Sequence, residues 1–112
     1  MFEITSPDQE RASKFYAQLF GWGVQSSPGM DDYALVDTDA GPDAIGGGIG
    51  PAQSGGSGGV KIYVRVPDLE ESLARAEELG GARLVPPTEL PGDFGSFAIL
   101  TDPDGNQVGL WA

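Results

Sequence analysis

Residues 60–81 read VKIYVRVPDLEESLARAEELGG. Ile62, Val64 and Val66 alternate with Lys61, Tyr63 and Arg65, the period of a strand with one apolar face. Asp68 then offers an N-cap with Glu71 at N3, the reciprocal pattern that opens helices. Leu69, Leu73, Ala76 and Leu79 recur at helical spacing, which predicts a helix over 69–79. Gly80-Gly81 supplies the stop, because glycine accepts the left-handed conformation at a helix C-terminus.

The same unit stands at the start of the chain. Displaced by 60 residues, Pro7 meets Pro67, Asp8 meets Asp68, Glu10 meets Glu70, Leu19 meets Leu79 and Gly21 meets Gly81. MFEIT at 1–5 reads as a strand. Ser6-Pro7-Asp8-Gln9 reads as a helix start with Pro at N1 and Gln at N3. A helix over about 7–20 would place Ala12, Phe15, Tyr16 and Leu19 on one face. Strands are expected at about 22–27, 33–38 and 44–49, and again at about 82–87, 95–101 and 107–111. Between the halves, GPAQSGGSGG at 50–59 has no apolar pattern and reads as a flexible linker. The expectation is a single domain over 1–112 of the α+β class. It is built as βαβββ used twice: module one 1–49, linker 50–59, module two 60–112.

Composition narrows the function. Six basic against seventeen acidic residues give a net charge of −11, which argues against nucleic acid and anionic membrane as partners. In a general way that charge favours solubility and cationic ligands. No apolar run reaches the length of a membrane span, and MFEIT lacks the basic and apolar regions of a secretory signal. The chain has no cysteine and no histidine. Disulfides, thiolate metal sites and Ser–His or Cys–His nucleophiles are excluded, and a cytoplasmic protein is expected.

Two stretches carry a resemblance. FYAQLFGW at 15–22 resembles the helix end, and DPDGNQVGLW at 102–111 the last hairpin, of the glyoxalase / bleomycin resistance protein / extradiol dioxygenase (vicinal oxygen chelate) superfamily. By turn chemistry alone, Asp104-Gly105-Asn106 is a tight turn with a structural role. The resemblance implies that the two modules form a curved mixed sheet, a cup, with helices on the outer face and the ligand or metal inside. It places the superfamily's metal-ligand positions at Met1, at Gly47 within Ile45-Gly46-Gly47-Gly48, at Lys61 and at Gly109. None suits a borderline metal ion, so no metal and no cofactor is expected. The resemblance also implies a homodimer, with Phe20 and Trp22 as candidate contacts or else as core aromatics.

Side-chain alternation then assigns the cup face. Tyr63 and Arg65 share the face of Lys61, Glu3 that of position 1, and Gln107 and Trp111 that of Gly109. Ile62, Val64, Val66, Val108 and Leu110 are expected to be buried against the helices. The candidate ligand-binding residues are therefore Glu3, Lys61, Tyr63, Arg65, Gln107 and Trp111. Gly46, Gly47 and Gly48 either leave space in the cup or mark a close strand approach. Two functions fit. One is capture of a small organic molecule; in the other reading of the charges, Glu3, Lys61 and Arg65 merely compensate one another. The second function is a metal-free isomerase, epimerase or lyase acting next to a carbonyl, with Glu3 as the catalytic base and Lys61 or Arg65 stabilising developing negative charge.

Overall fold

A computed structural model describes residues 1–27, 29–52, 56 and 58–112. The chain divides into two compact units, Met1–Val60 and Lys61–Ala112. In the first, β1 (Phe2–Ser6) leads into α1 (Gln9–Phe20), followed by β2 (Gly23–Ser27), β3 (Met30–Asp37) and β4 (Gly47–Pro51). β1 and β4 are parallel, while β3 pairs antiparallel with both β4 and β2. In the second, β5 (Gly59–Arg65) leads into α2 (Leu69–Glu78), β6 (Ala82–Glu89), β7 (Ser96–Thr101) and β8 (Gln107–Trp111). β5 and β8 are parallel, and β7 pairs antiparallel with β8 and β6. The class is α+β and the unit is βαβββ, twice, as the 60-residue displacement implied. Of the expected linker, Gly50 and Pro51 belong to β4 and Gly59 opens β5, whereas 53–55 and 57 lie outside the described residues.

Local chemistry explains the element ends. Asp68 caps α2, its carboxylate accepting the Glu71 N–H at 2.9 Å. α2 ends in a Schellman arrangement: Gly80 has φ 100 and the Gly81 N–H donates to the Ala76 carbonyl at 2.8 Å. The start of α1 differs from expectation. Asp8, not Ser6, is the N-cap and accepts the Arg11 N–H at 3.0 Å. Ser6 instead accepts the Asp8 N–H at 3.0 Å, which turns the chain one step earlier. Two capping-competent side chains flank Pro7, and the carboxylate prevails because a charged acceptor at a helix N-terminus is the stronger one.

Each unit has its own core. Ile4, Val36 and Ile49 are buried in the first, with Phe2, Ala12, Tyr16, Trp22 and Val24 packed around them. Leu69, Leu73, Ala98 and Leu110 are buried in the second, with Val66 and Leu100 alongside. The helical stripes are only partly used. Ala12 and Tyr16 reach the first core, but Phe15 and Leu19 remain 57% and 58% exposed. Trp22 is half-buried in an aromatic group with Phe2, Tyr16 and the exposed Phe20.

Two features hold the second unit's connections. In the turn between β7 and β8, the Asp102 carboxylate accepts the Asp104 and Asn106 N–H groups and the Asn106 side-chain amide, each at 2.9 Å. The Asn106 amide, with these backbone donors, holds the Asp102 carboxyl below the usual carboxylate range. DPDGN is thus a structural turn, as its chemistry predicts. On the helix side, Arg83 of β6 grips Glu70 of α2 through two bonds of 2.6 and 2.8 Å, and Glu77 through one of 2.8 Å. The hydrogen bond from Arg83 lowers the Glu70 pKa. A carboxylate depressed in the folded state adds stability above its unfolded pKa and loses it as pH falls through the folded value. Arg83→Met is therefore expected to lower the melting temperature at pH 7, and the gap to wild type should close towards acid pH. Melting curves of both proteins across that range check this; a gap independent of pH would refute the clamp.

Candidate functional site

The parallel register of β5 and β8 pairs Tyr63 with Gly109, Val64 with Leu110 and Arg65 with Trp111. Residues level with each other on neighbouring strands point to the same side of a sheet. Leu110 lies in the core beneath α2, so Val64 and Val66 share the helix side. Tyr63, Arg65 and Trp111 share the opposite side, and continuing the register brings Lys61 level with Gln107. The second unit thus assembles Lys61, Tyr63, Arg65, Gln107 and Trp111 on one face of two adjacent strands. Lys61, Tyr63 and Trp111 are half-buried; Arg65 and Gln107 are exposed.

The register is as read from the sequence, but the burial on its back is not. Ile62 is 56% and Val64 43% exposed, although both were expected beneath a helix. The reason is placement: α2 lies against β6 and β7, and β5 is separated from β7 by β8.

Geometry on the face is specific. The Tyr63 ring lies over Gly109, where a Cβ would stand 2.3 Å from two of its carbons. The Arg65 guanidinium sits 4.9 Å from the centre of the Trp111 ring, a cation–π contact. The Trp111 indole N–H donates to the Phe94 carbonyl at 2.6 Å, which fixes the ring. A guanidinium lying on an aromatic plane keeps its edge available, and that edge matches a carboxylate or phosphate bidentately.

Glu3 belongs to the first unit. It is level with Gly48, and its Oε2 accepts the Tyr33 hydroxyl at 2.8 Å. The Tyr33 ring crosses Gly48 and Gly50, where a Cβ would come within 2.5 and 2.7 Å of ring carbons respectively. Gly47 faces the other way, beneath the Phe2 ring at 2.3 Å from such a Cβ. The resemblance pointed to Gly47 as the position on the face of Glu3, and the register corrects it to Gly48. Of the two readings of the glycines, close approach holds at 47 and 48, where rings lie on the strand. Tyr33 was missed as a partner of Glu3. The signal was the alternation Gly48-x-Gly50, which strips one face of β4 of side chains and leaves a flat bed for an aromatic from the next strand.

The metal positions implied by the resemblance do not fit a resident transition metal. A side chain at 109 would collide with Tyr63, 47 faces the helix side, and Lys61 carries an ammonium. Among the described residues no group of three His, Cys, Asp or Glu side chains could hold an ion. No helix of the described residues is long and apolar enough to cross a membrane. An open groove of about 430 Å³ runs along the outside of α2, lined by Asp68, Glu71, Ser72, Arg75 and Leu79 among others. Its two carboxylates against one guanidinium make it a poor seat for an anion.

Comparison with known proteins gives the following. The family model described as Glyoxalase-like domain matches residues 1–111. "Putative glyoxylase CFP32" of Mycobacterium tuberculosis is 31% identical over 116 residues, covering 97% of this chain and 43% of that protein. This chain therefore spans less than half the length of that relative. A "Glyoxylase-like domain-containing protein" of Didymella fabae is 30% identical over 108 residues, covering 93% of this chain and 84% of that one. Among solved structures, a glyoxalase/bleomycin resistance protein/dioxygenase superfamily member from Vibrio splendidus 12B01 superposes with a TM-score of 0.65 at 15% identity, covering 98% of this chain and 93% of that one.

Proposed function

The chain belongs to the glyoxalase-like domain family, and from that premise we propose that it binds a small organic molecule bearing an acidic group, without a metal, through the β5–β8 face of its second unit. The observation that carries this reading is the Arg65 guanidinium resting on Trp111, two positions along β5 from the Tyr63 ring. Small-molecule sites combine aromatic surface with a few placed polar groups, and this face has both. Lys61 adds a positively charged residue on the same side, and Gln107 a neutral donor and acceptor. Lys61 and Arg65 stand roughly 13 Å apart along the strand, a span their side chains can narrow onto one carboxylate.

Benzoate, followed by tryptophan fluorescence, is a suitable first probe. Arg65→Ala is expected to weaken it about tenfold or more, the equivalent of ~1.4 kcal/mol for a charged hydrogen bond lost at a partly solvated site. Unchanged affinity in that variant would remove Arg65 from the site.

One observation favours the second reading, metal-free isomerase, epimerase or lyase chemistry next to a carbonyl. The half-buried Glu3 carboxylate is oriented by the Tyr33 hydroxyl, as a general base has to be. On that reading Glu3→Gln abolishes turnover and leaves binding largely intact, whereas the binding reading has no turnover to lose.

A further inference from the structure

The Trp111 side chain makes contacts in two directions. Its ring face carries Arg65 at 4.9 Å, and its N–H holds the Phe94 carbonyl at 2.6 Å. Phe94 lies in the loop that joins β6 to β7, residues 90–95. That loop is closed on itself by the Leu90 N–H, which donates to the Gly95 carbonyl at 2.8 Å. Gly95 has φ 82, and a Cβ there would stand 2.3 Å from the Ala112 carbonyl oxygen and 3.2 Å from the Trp111 Nε1. Only glycine lets the loop lie this close to the end of β8. The loop therefore cannot leave β8 without breaking the indole bond, and the indole cannot turn without giving up its hold on the loop.

We propose that Trp111 is a positioning residue that couples occupancy of Arg65 to the 90–95 loop, so that an acidic ligand held by Arg65 tightens that loop. This rests on the functional reading above. A carboxylate engaging the guanidinium restricts Arg65, and Arg65 in turn restricts the ring it lies on. The bond from the indole N–H passes that restriction to Phe94 and so to the Leu90–Gly95 closure. The loop is thereby the edge of the site that responds to the ligand.

Amide hydrogen exchange at Leu90, with and without benzoate, tests the coupling in wild type and in Trp111→Phe. Phenylalanine keeps an aromatic face for Arg65 but has no N–H to donate. In wild type, benzoate is expected to slow Leu90 exchange about two- to tenfold, the worth of one net hydrogen bond. In Trp111→Phe, compared at benzoate concentrations that saturate each protein, Leu90 should exchange faster and no longer respond to benzoate. An equal response in both proteins overturns the coupling. Benzoate binding to wild type with no change at Leu90 overturns it too and leaves the functional reading standing; no binding at all removes both. Should Trp111→Phe fail to fold, the wild-type indole N–H resonance, identified by its survival in Trp22→Phe, gives the answer. It should shift and exchange more slowly with benzoate, and an unchanged resonance refutes the proposal.

Discussion

Gly109→Val is expected to destabilise the second unit severely, even though valine is among the best strand formers. β propensity alone predicts a gain, because a branched residue suits a pleated surface. The structure predicts the opposite sign. A Cβ at 109 would stand 2.3 Å from two Tyr63 ring carbons, so either the ring must leave its place on the strand or the paired strands β5 and β8 must part. Forcing extra carbons into a packed contact typically costs about 1–3 kcal/mol. For a domain of this size that is a fall in melting temperature of roughly 5–20 °C. Thermal unfolding by circular dichroism reads it directly. A cycle with Gly109→Ala and Tyr63→Ala isolates the cause: the alanine at 109 should cost much less when the ring is gone. A valine variant as stable as wild type would mean that Tyr63 does not lie on Gly109.

Leu73→Ala carries the second large effect. Leu73 is fully buried and packs with Leu69, Ala98 and Leu110, so its removal leaves a cavity in the only core of its unit among the described residues. Such truncations cost about 2–5 kcal/mol, a large share of the ~5–15 kcal/mol that holds a domain folded. Leu79→Ala, on the same helical stripe, should change stability by less than about 0.5 kcal/mol, because Leu79 is 63% exposed. Chemical denaturation of the two variants compares them. Similar losses would show that α2 packs differently.

That contrast marks how far the sequence can be read. Periodicity finds the helix and its apolar stripe, since both follow from 3.6 residues per turn. It does not say how much sheet lies beneath. Leu69 and Leu73 meet β7 and β8, whereas Leu79 stands beyond them, and Phe15 and Leu19 repeat the pattern in the first unit. Ile62 and Val64 were assigned to the correct side of β5 by alternation, yet their exposure depends on where α2 lies, which is a tertiary matter. Among the candidate site residues, the shared face of Lys61, Tyr63 and Arg65 was legible because strand period is strict. The Trp111–Phe94 bond and the Tyr33–Glu3 bond were not, because each joins residues far apart in sequence that no local rule links. At Gly47 a one-residue difference in assignment was enough to exchange the two faces of β4.

Binding of an acidic organic molecule by the β5–β8 face of the second unit can be read residue by residue. The most direct measurement is backbone amide chemical-shift mapping of the chain during titration with benzoate. Saturable shifts are expected to concentrate at Tyr63, Arg65, Gly109 and Trp111 and to be lost in Arg65→Ala. Shifts confined to the α2 groove at Glu71, Ser72 and Arg75, or a pattern that Arg65→Ala leaves intact, would contradict it.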